Sequence, residues 1–205
     1  MIKGILFDLG GVLINLTREE SLKAFHTQMD CYIIDALMNC SRQEGIYGAM
    51  EEGKVTADEF RSEVLRHSRP GCTASDVDRC LGIFTASIDE DKVLLLRRLS
   101  RKFPLYILSN NNPISMHKIY SVFTGAGIKV EEMFKDEYVS YRMNLLKPDP
   151  AIYLEAARRT GFAPEELLFV DDNLVNVEAA RAVGMHAAYY EIGSSLEDCV
   201  LEALS

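Results

Sequence analysis

The sequence predicts an α/β protein: a doubly wound, mostly parallel sheet built from both ends of the chain, with an α-helical segment inserted between them. Three observations predict it. Short apolar runs recur and end abruptly in polar clusters, as strands buried on both faces of a parallel sheet do. Helix start and stop signals alternate with those runs. A long stretch after the first run carries helix signals and no strong strand pattern.

The elements follow in chain order. Ile5-Leu6-Phe7 reads as a buried strand delivering the loop Asp8-Leu9-Gly10-Gly11. From about Leu16 to Ile88 the pattern changes. Thr17-x-x-Glu20 and Thr56-x-x-Glu59 both read as capping boxes, and the helices they open are broken at Gly45, Gly53 and Pro70-Gly71. This stretch holds more acids than bases, which argues against a basic recognition module. A lid over the active edge of the sheet is the leading reading, and a helical protein-binding arm is the other. Next come Leu105-Tyr106-Ile107-Leu108, ending at Ser109-Asn110-Asn111-Asn112, and Leu167-Leu168-Phe169-Val170, ending at Asp171-Asp172-Asn173. Asp149-Pro150 starts a helix that Gly161 stops, and Pro164-Glu165-Glu166 opens a short one. Val175 to Val183 is an alanine-rich helix ended by Gly184, and His186 to Tyr190 is a further strand. The division is therefore 1–15 and 89–205 for the sheet-bearing core, and 16–88 for the helical insert.

Composition narrows the function classes. The 205 residues are 48% hydrophobic and 26% charged, which suits a soluble globular protein and excludes disordered, fibrous and disulfide-scaffold classes. The net charge of −9, with no Lys/Arg cluster, argues against nucleic acid and anionic membrane as partners. No apolar run approaches the roughly 20 residues that span a bilayer, and Met1-Ile2-Lys3-Gly4 leads into a segment carrying Asp8 that does not resemble a signal peptide. Cys31, Cys40, Cys72, Cys80 and Cys199 form no C-x-x-C pair, and His26, His67, His117 and His186 lie far apart. Zinc is set aside, and packed, reduced thiols in the cytoplasm are expected.

Polar clusters at the carboxyl ends of parallel strands mark where such sheets bind ligands. Asp8, Ser109-Asn110 and Asp171-Asp172 all fall there, and Lys147 sits in Lys147-Pro148-Asp149-Pro150 just before a helix. Carboxylates, a lysine and a hydroxyl in this arrangement suit phosphoryl transfer, where catalysis is mainly positioning and charge stabilisation. A carboxylate can attack phosphorus to give an aspartyl-phosphate, and Mg²⁺ on oxygen ligands is the usual screen for its repulsion from the phosphate. Taken singly, each residue has a plainer role. Asp8 would start a loop, Asp171-Asp172 would cap a helix, and Lys147 would be a surface charge. Gly10-Gly11 lacks the G-x-G-x-x-G spacing of a dinucleotide loop.

Phe7-Asp8-Leu9-Gly10-Gly11-Val12-Leu13, Leu108-Ser109-Asn110, Lys147-Pro148-Asp149-Pro150 and Phe169-Val170-Asp171-Asp172-Asn173 resemble, in order, the four motifs of the haloacid dehalogenase superfamily. The resemblance covers the whole chain. It is nearest to members with a helical cap after the first motif and a first motif of Asp-Leu-Gly-x-Val type, which include sugar-phosphate phosphatases. It implies a Rossmann-like core and Mg²⁺-dependent hydrolysis of a small phosphorylated metabolite. It also implies Asp8 as nucleophile and metal ligand, the Gly10 carbonyl and Asp172 as further ligands, and Ser109 and the Asn110 backbone amide on the phosphate. Lys147 would neutralise phosphate and Asp8 together. Asp171 is either a water-mediated ligand or a partner for Lys147, and Asn176, on the helical face of Asp172, supports the site from behind.

Two positions depart from the family pattern. Its phosphatases usually carry a second Asp two residues after the nucleophile as general acid and base, and here that position is Gly10. The implied readings are a phosphatase for good leaving groups, with water or a cap residue moving the proton; a hydrolase of carbon centres such as a dehalogenase; and a non-catalytic binder. Asn144 replaces a frequent glycine, and Asn tolerates a left-handed backbone. In the insert, Arg18, Lys23, Arg42, Arg61, Arg66 and Arg69 are candidates for substrate contact or solvated faces, and Met38, Met50, Phe25, Tyr32, Tyr47 and Phe60 for core or lid lining. His117 is read as structural.

Overall fold

The computed structural model describes residues 1–38 and 45–205, so Cys40 and Arg42 lie outside the described residues. The strands are β1 (Gly4–Phe7), β2 (Asn15–Leu16), β3 (Thr85–Ser87), β4 (Leu105–Ser109), β5 (Asp136–Val139), β6 (Leu167–Asp171) and β7 (His186–Tyr189). Five of them form one sheet in the order β5-β4-β1-β6-β7, and every neighbouring pair is parallel. β1, β4 and β6 are buried along their whole length, because helices cover both faces.

The helices after the insert are α6 (Glu90–Leu99), α7 (Pro113–Gly125), α8 (Val130–Met133), α9 (Ser140–Met143), α10 (Pro150–Thr160), α11 (Leu174–Ala182) and α12 (Leu196–Leu204), when the helices of the insert are numbered α1 (Arg18–Met29), α2 (Ile34–Leu37), α3 (Gly45–Glu51), α4 (Ala57–Arg66) and α5 (Ala74–Gly82). Alternation along β1 sends Ile5 and Phe7 to one face and Leu6 to the other. Ile5 and Phe7 pack with Leu96, Ile119, Phe123 and Val200 from α6, α7 and α12. Leu6 packs with Ile152, Tyr153, Ala156 and Ala180 from α10 and α11. Each aliphatic or aromatic side chain sequestered in this way contributes about 1.5–3 kcal/mol.

The insert has its own apolar cluster around Phe25, Met29, Met50, Phe60, Val64 and Leu81, and Ile114 of α7 joins it. Antiparallel β2 and β3 form the ribbon where the chain leaves and re-enters the sheet region. Thr56 makes the expected capping box with Glu59. Thr17 does not. It stands at the N-cap of α1, but its hydroxyl donates to the Ile83 carbonyl at 2.5 Å, so a cross-chain partner replaces the local one and ties the two ends of the insert together. Thr73, whose partner is Asp76, makes a box that the sequence pattern did not reveal. Tyr32 also departs from expectation: it is 62% exposed and stacks on His26 at 4.7 Å between ring centres instead of lining core or lid. Asn144 is left-handed, with φ 54°.

Among the described residues, no helix is long and apolar enough to cross a membrane.

Candidate active site

Register places the charged groups together. Phe7 pairs with Ile107 on one side and Val170 on the other, so the next residues of β1 and β6, Asp8 and Asp171, emerge side by side. The Asp8 amide donates to the Val170 carbonyl at 2.9 Å, which keeps the two chains paired as they leave the sheet. Ser109 ends β4 on the far side of β1.

Lys147 comes from the loop before α10. Its ammonium lies 2.9 Å from Asp8 Oδ1 and 2.6 Å from Asp171 Oδ2, and its side chain is 2% exposed. The 2.9 Å contact pairs the ammonium with the Asp8 carboxylate inside the buried site. Burial pulls the lysine toward its neutral form, but the Asp171 and Asp8 carboxylates outweigh it and hold its pKa above the usual range. Burial pushes the Asp8 carboxyl up; Lys147 opposes this, Asp171 adds to it, and the Ser109 hydroxyl again opposes.

The lysine is held from two directions. Its amide donates to Asn110 Oδ1 at 2.8 Å, and its carbonyl accepts from Asn110 Nδ2 at 2.9 Å. The Asn110 side chain therefore clamps the Lys147 backbone at both its amide and its carbonyl. Behind the ammonium, both Asp171 oxygens are taken. Oδ1 accepts from the Asn173 amide at 2.7 Å and from Asn176 Nδ2 at 3.1 Å; Oδ2 accepts from Lys147 and from Asn176 Nδ2 at 3.2 Å. Of the two roles open for Asp171, the geometry is that of a partner for Lys147. The helix cap after β6 falls to Asn173, whose Oδ1 accepts from the Val175 amide at 3.0 Å.

Asp8, Asp171 and Asp172 each offer an oxygen within 4.8 Å of the others. With Asp171 committed, the free donors are Asp8 and Asp172, and the Gly10 carbonyl accepts no hydrogen bond from a described residue. Burial, then the Asp8 and Asp171 charges, push the Asp172 carboxyl up to about 7. Crowded carboxylates with an all-oxygen donor set fit a hard divalent cation. Gly11 makes room for the group: at φ +78°, any Cβ there would overlap the Asp172 carboxylate.

These residues open on a cavity of 530 Å³ whose lining includes Asp8, Gly10, Ser109, Asn110, Lys147, Asp172 and Asn176. The helical insert and its ribbon contribute Leu16, Tyr47, Glu51, Phe84 and Thr85 to the same lining. Arg18, Lys23, Arg61, Arg66 and Arg69 do not reach it. Arg61, for example, is tied to Asp78 and Asp58 at 2.7 Å each. His117 is exposed and lines a different cavity. Three contributors were given no role in the site by the sequence. Asn112 caps α7 and donates from Nδ2 to the Tyr47 hydroxyl at 3.2 Å; Ser140 donates to the Glu51 carbonyl at 2.6 Å; and Glu51 itself is 8% exposed. Only Asn112 carried a signal, as a polar residue before Pro113.

A family model described as a haloacid dehalogenase-like hydrolase matches residues 2–184. A D-ribitol-5-phosphate phosphatase of Bacteroides thetaiotaomicron is 31% identical over 196 residues, covering 95% of this chain and 94% of that protein. The crystal structure of an enzyme of this family from the same organism, in complex with magnesium and inorganic phosphate, has a TM-score of 0.88 at 31% identity, covering 95% of this chain and 97% of that one. A predicted hydrolase of the family from Porphyromonas gingivalis has a TM-score of 0.89 at 32% identity, covering 100% and 98% of the two chains.

Proposed function

Because the chain belongs to the haloacid dehalogenase-like hydrolase family, we propose that it is a Mg²⁺-dependent phosphatase of a small phosphorylated metabolite, with a sugar or polyol phosphate as the substrate class. The observation that carries this reading is the Lys147 ammonium shared between Asp8 and Asp171, with Asp8, Lys147 and Asp172 in the lining of one cavity. The comparisons add support: a relative acts on D-ribitol 5-phosphate by name, and a similar structure was crystallised with magnesium and inorganic phosphate.

In this reading the Asp8 carboxylate attacks phosphorus and water then hydrolyses the aspartyl-phosphate. Ser109, the Asn110 backbone amide and Lys147 hold the phosphoryl oxygens. Asp171 and Asn176 keep Lys147 charged and aimed, and Asn110 fixes its peptide. Asp8, Asp172 and the Gly10 carbonyl would hold Mg²⁺, which when bound offsets the repulsion between Asp8 and the phosphate dianion. The helical segment 16–88 serves as the cap closing over the core formed by 1–15 and 89–205. The cytoplasm is the compartment we assign, on the unpatterned cysteines of the sequence.

Phosphate release from sugar 1-phosphates, sugar 6-phosphates, polyol phosphates, nucleotides and an aryl phosphate, with and without Mg²⁺, tests the proposal. Metal-dependent release that disappears in Asp8→Asn, in a folded protein that still binds metal, is expected. Release that persists in that variant would remove Asp8 as nucleophile. Silence across the panel would return the chain to carbon chemistry or binding.

A further inference from the structure

Esters of poor leaving alcohols need a proton donor, and Gly10 leaves none on the loop after β1. Among the described residues, the acidic residues in the cavity lining are Asp8, Asp172 and Glu51. Asp8 is the nucleophile of the proposed reaction and Asp172 a cation ligand, so Glu51 is left over.

Its placement is specific. Glutamate is seldom buried, yet Glu51 is 8% exposed at the end of α3, inside a polar cavity. The buried Ser140 hydroxyl donates to its carbonyl at 2.6 Å and accepts the Asn111 amide at 3.0 Å. Asn111 is two residues past Ser109, so the end of α3 is fastened to the loop that would hold the phosphate. Two residues after Glu51 the chain turns at Gly53, with φ +77°, where a Cβ would meet the Tyr141 carbonyl and Asn144 Oδ1. The insert thus approaches α9 backbone to backbone beside Glu51.

We propose that Glu51 is the general acid and base of this enzyme, supplied from the helical insert in place of the residue that Gly10 lacks. The inference rests on the phosphatase reading. As the bond from Asp8 to phosphorus forms and the ester P–O bond breaks, the Glu51 carboxyl gives its proton to the departing oxygen, releasing the neutral alcohol. Water then attacks the aspartyl-phosphate, and the Glu51 carboxylate takes the proton from that water. Phosphate leaves, and Asp8 and Glu51 return to their starting forms.

The test compares wild type with Glu51→Gln on alkyl phosphates of weakly acidic alcohols and on aryl phosphates of acidic phenols, with Mg²⁺. For alkyl substrates kcat/KM is expected to fall by roughly 10²–10⁴-fold, the range a general acid supplies. For aryl substrates kcat/KM is retained, because the phenolate leaves unaided, while steady turnover slows after a burst of one phenol per enzyme. The basic limb of the alkyl pH–rate profile, set by the acid, also disappears. Retained aryl chemistry shows that the variant is folded; if Glu51→Gln does not fold, Glu51→Asp is measured for the same steepened dependence on leaving group. An equal fall for both classes would make Glu51 a binding or structural residue, and no fall for either would remove it from the reaction. Wild type silent on both classes would sink the phosphatase reading and this inference with it. Aryl turnover with unchanged leaving-group dependence would sink the inference alone.

Discussion

Removing the charge of Lys147 tests whether the ion cluster at the strand ends is as coupled as its distances say. Lys147→Met keeps most of the aliphatic stem and deletes the ammonium, which stands between Asp8 and Asp171 and 5.2 Å from the Phe169 ring centre. Asp171 is fully buried and stands beside Asp8, so the variant leaves two neighbouring carboxylates with no cation. Breaking a buried pair by removing one partner destabilises by about 3–5 kcal/mol. Two stranded anions put this case at the upper end. For a chain of this size, 1 kcal/mol moves the midpoint by roughly 2–4 °C, so the expected drop in Tm is about 10–20 °C. Urea and thermal unfolding by circular dichroism, in EDTA at pH 7, measure it without help from a metal. The control is Lys147→Met with Asp171→Asn, which removes one charge of each sign and leaves the Asn173 and Asn176 donors an amide oxygen to meet. That double variant should regain at least half of the loss. A single variant within about 1 kcal/mol of wild type, below the range for a broken buried pair, would refute the coupling. So would a double variant no more stable than the single one.

Three further outcomes are expected. Gly11→Ala places a Cβ on the Asp172 carboxylate at a left-handed φ, so the rise in Tm that Mg²⁺ gives wild type should largely vanish, and an unchanged rise would take Asp172 out of the cation site. Gly10→Asp, whose Cβ would meet the tip of the Leu16 side chain at 3.1 Å, should restore alkyl phosphate turnover to Glu51→Gln by at least tenfold; no gain would separate the two positions chemically. The Thr73 hydroxyl and amide hold the Asp76 carboxyl at about 2, below its ordinary value, so this group favours the folded state above its unfolded pKa and that contribution is lost as pH falls through about 2. An NMR titration should show Thr73→Ala moving the Asp76 midpoint upward, and no movement would remove the cap as its cause.

The legible part of this protein is the part whose meaning is local. A parallel strand buried on both faces must be an unbroken apolar run, so Ile5-Leu6-Phe7, Leu105–Leu108 and Leu167–Val170 announced themselves, and each chemical residue follows at once. β5 did not, because at the sheet edge Asp136 is exposed and Glu137 half-buried, and the two acids give Asp136–Val139 no apolar run. Thr17 shows the limit from the other side: its spacing to Glu20 is that of a capping box, but folding brings Ile83 within reach of the same hydroxyl and the long-range partner wins.

The same division runs through the site. Asp8, Ser109, Lys147, Asp171 and Asp172 could be picked out because a strand end or a helix start fixes where each points. The partner of Asn110 could not, since its side chain turns to a peptide 37 residues away. Glu51 was least visible, one of two adjacent glutamates in a helix with nothing to separate it from Glu52. What distinguishes it is made by the docking of the insert: the bond from Ser140 across 89 residues, and the turn at Gly53. The chemistry carried by the core is therefore written along the strands. Whatever the insert adds depends on its seam with α9, so it can change with a few substitutions there while the core motifs stand unchanged.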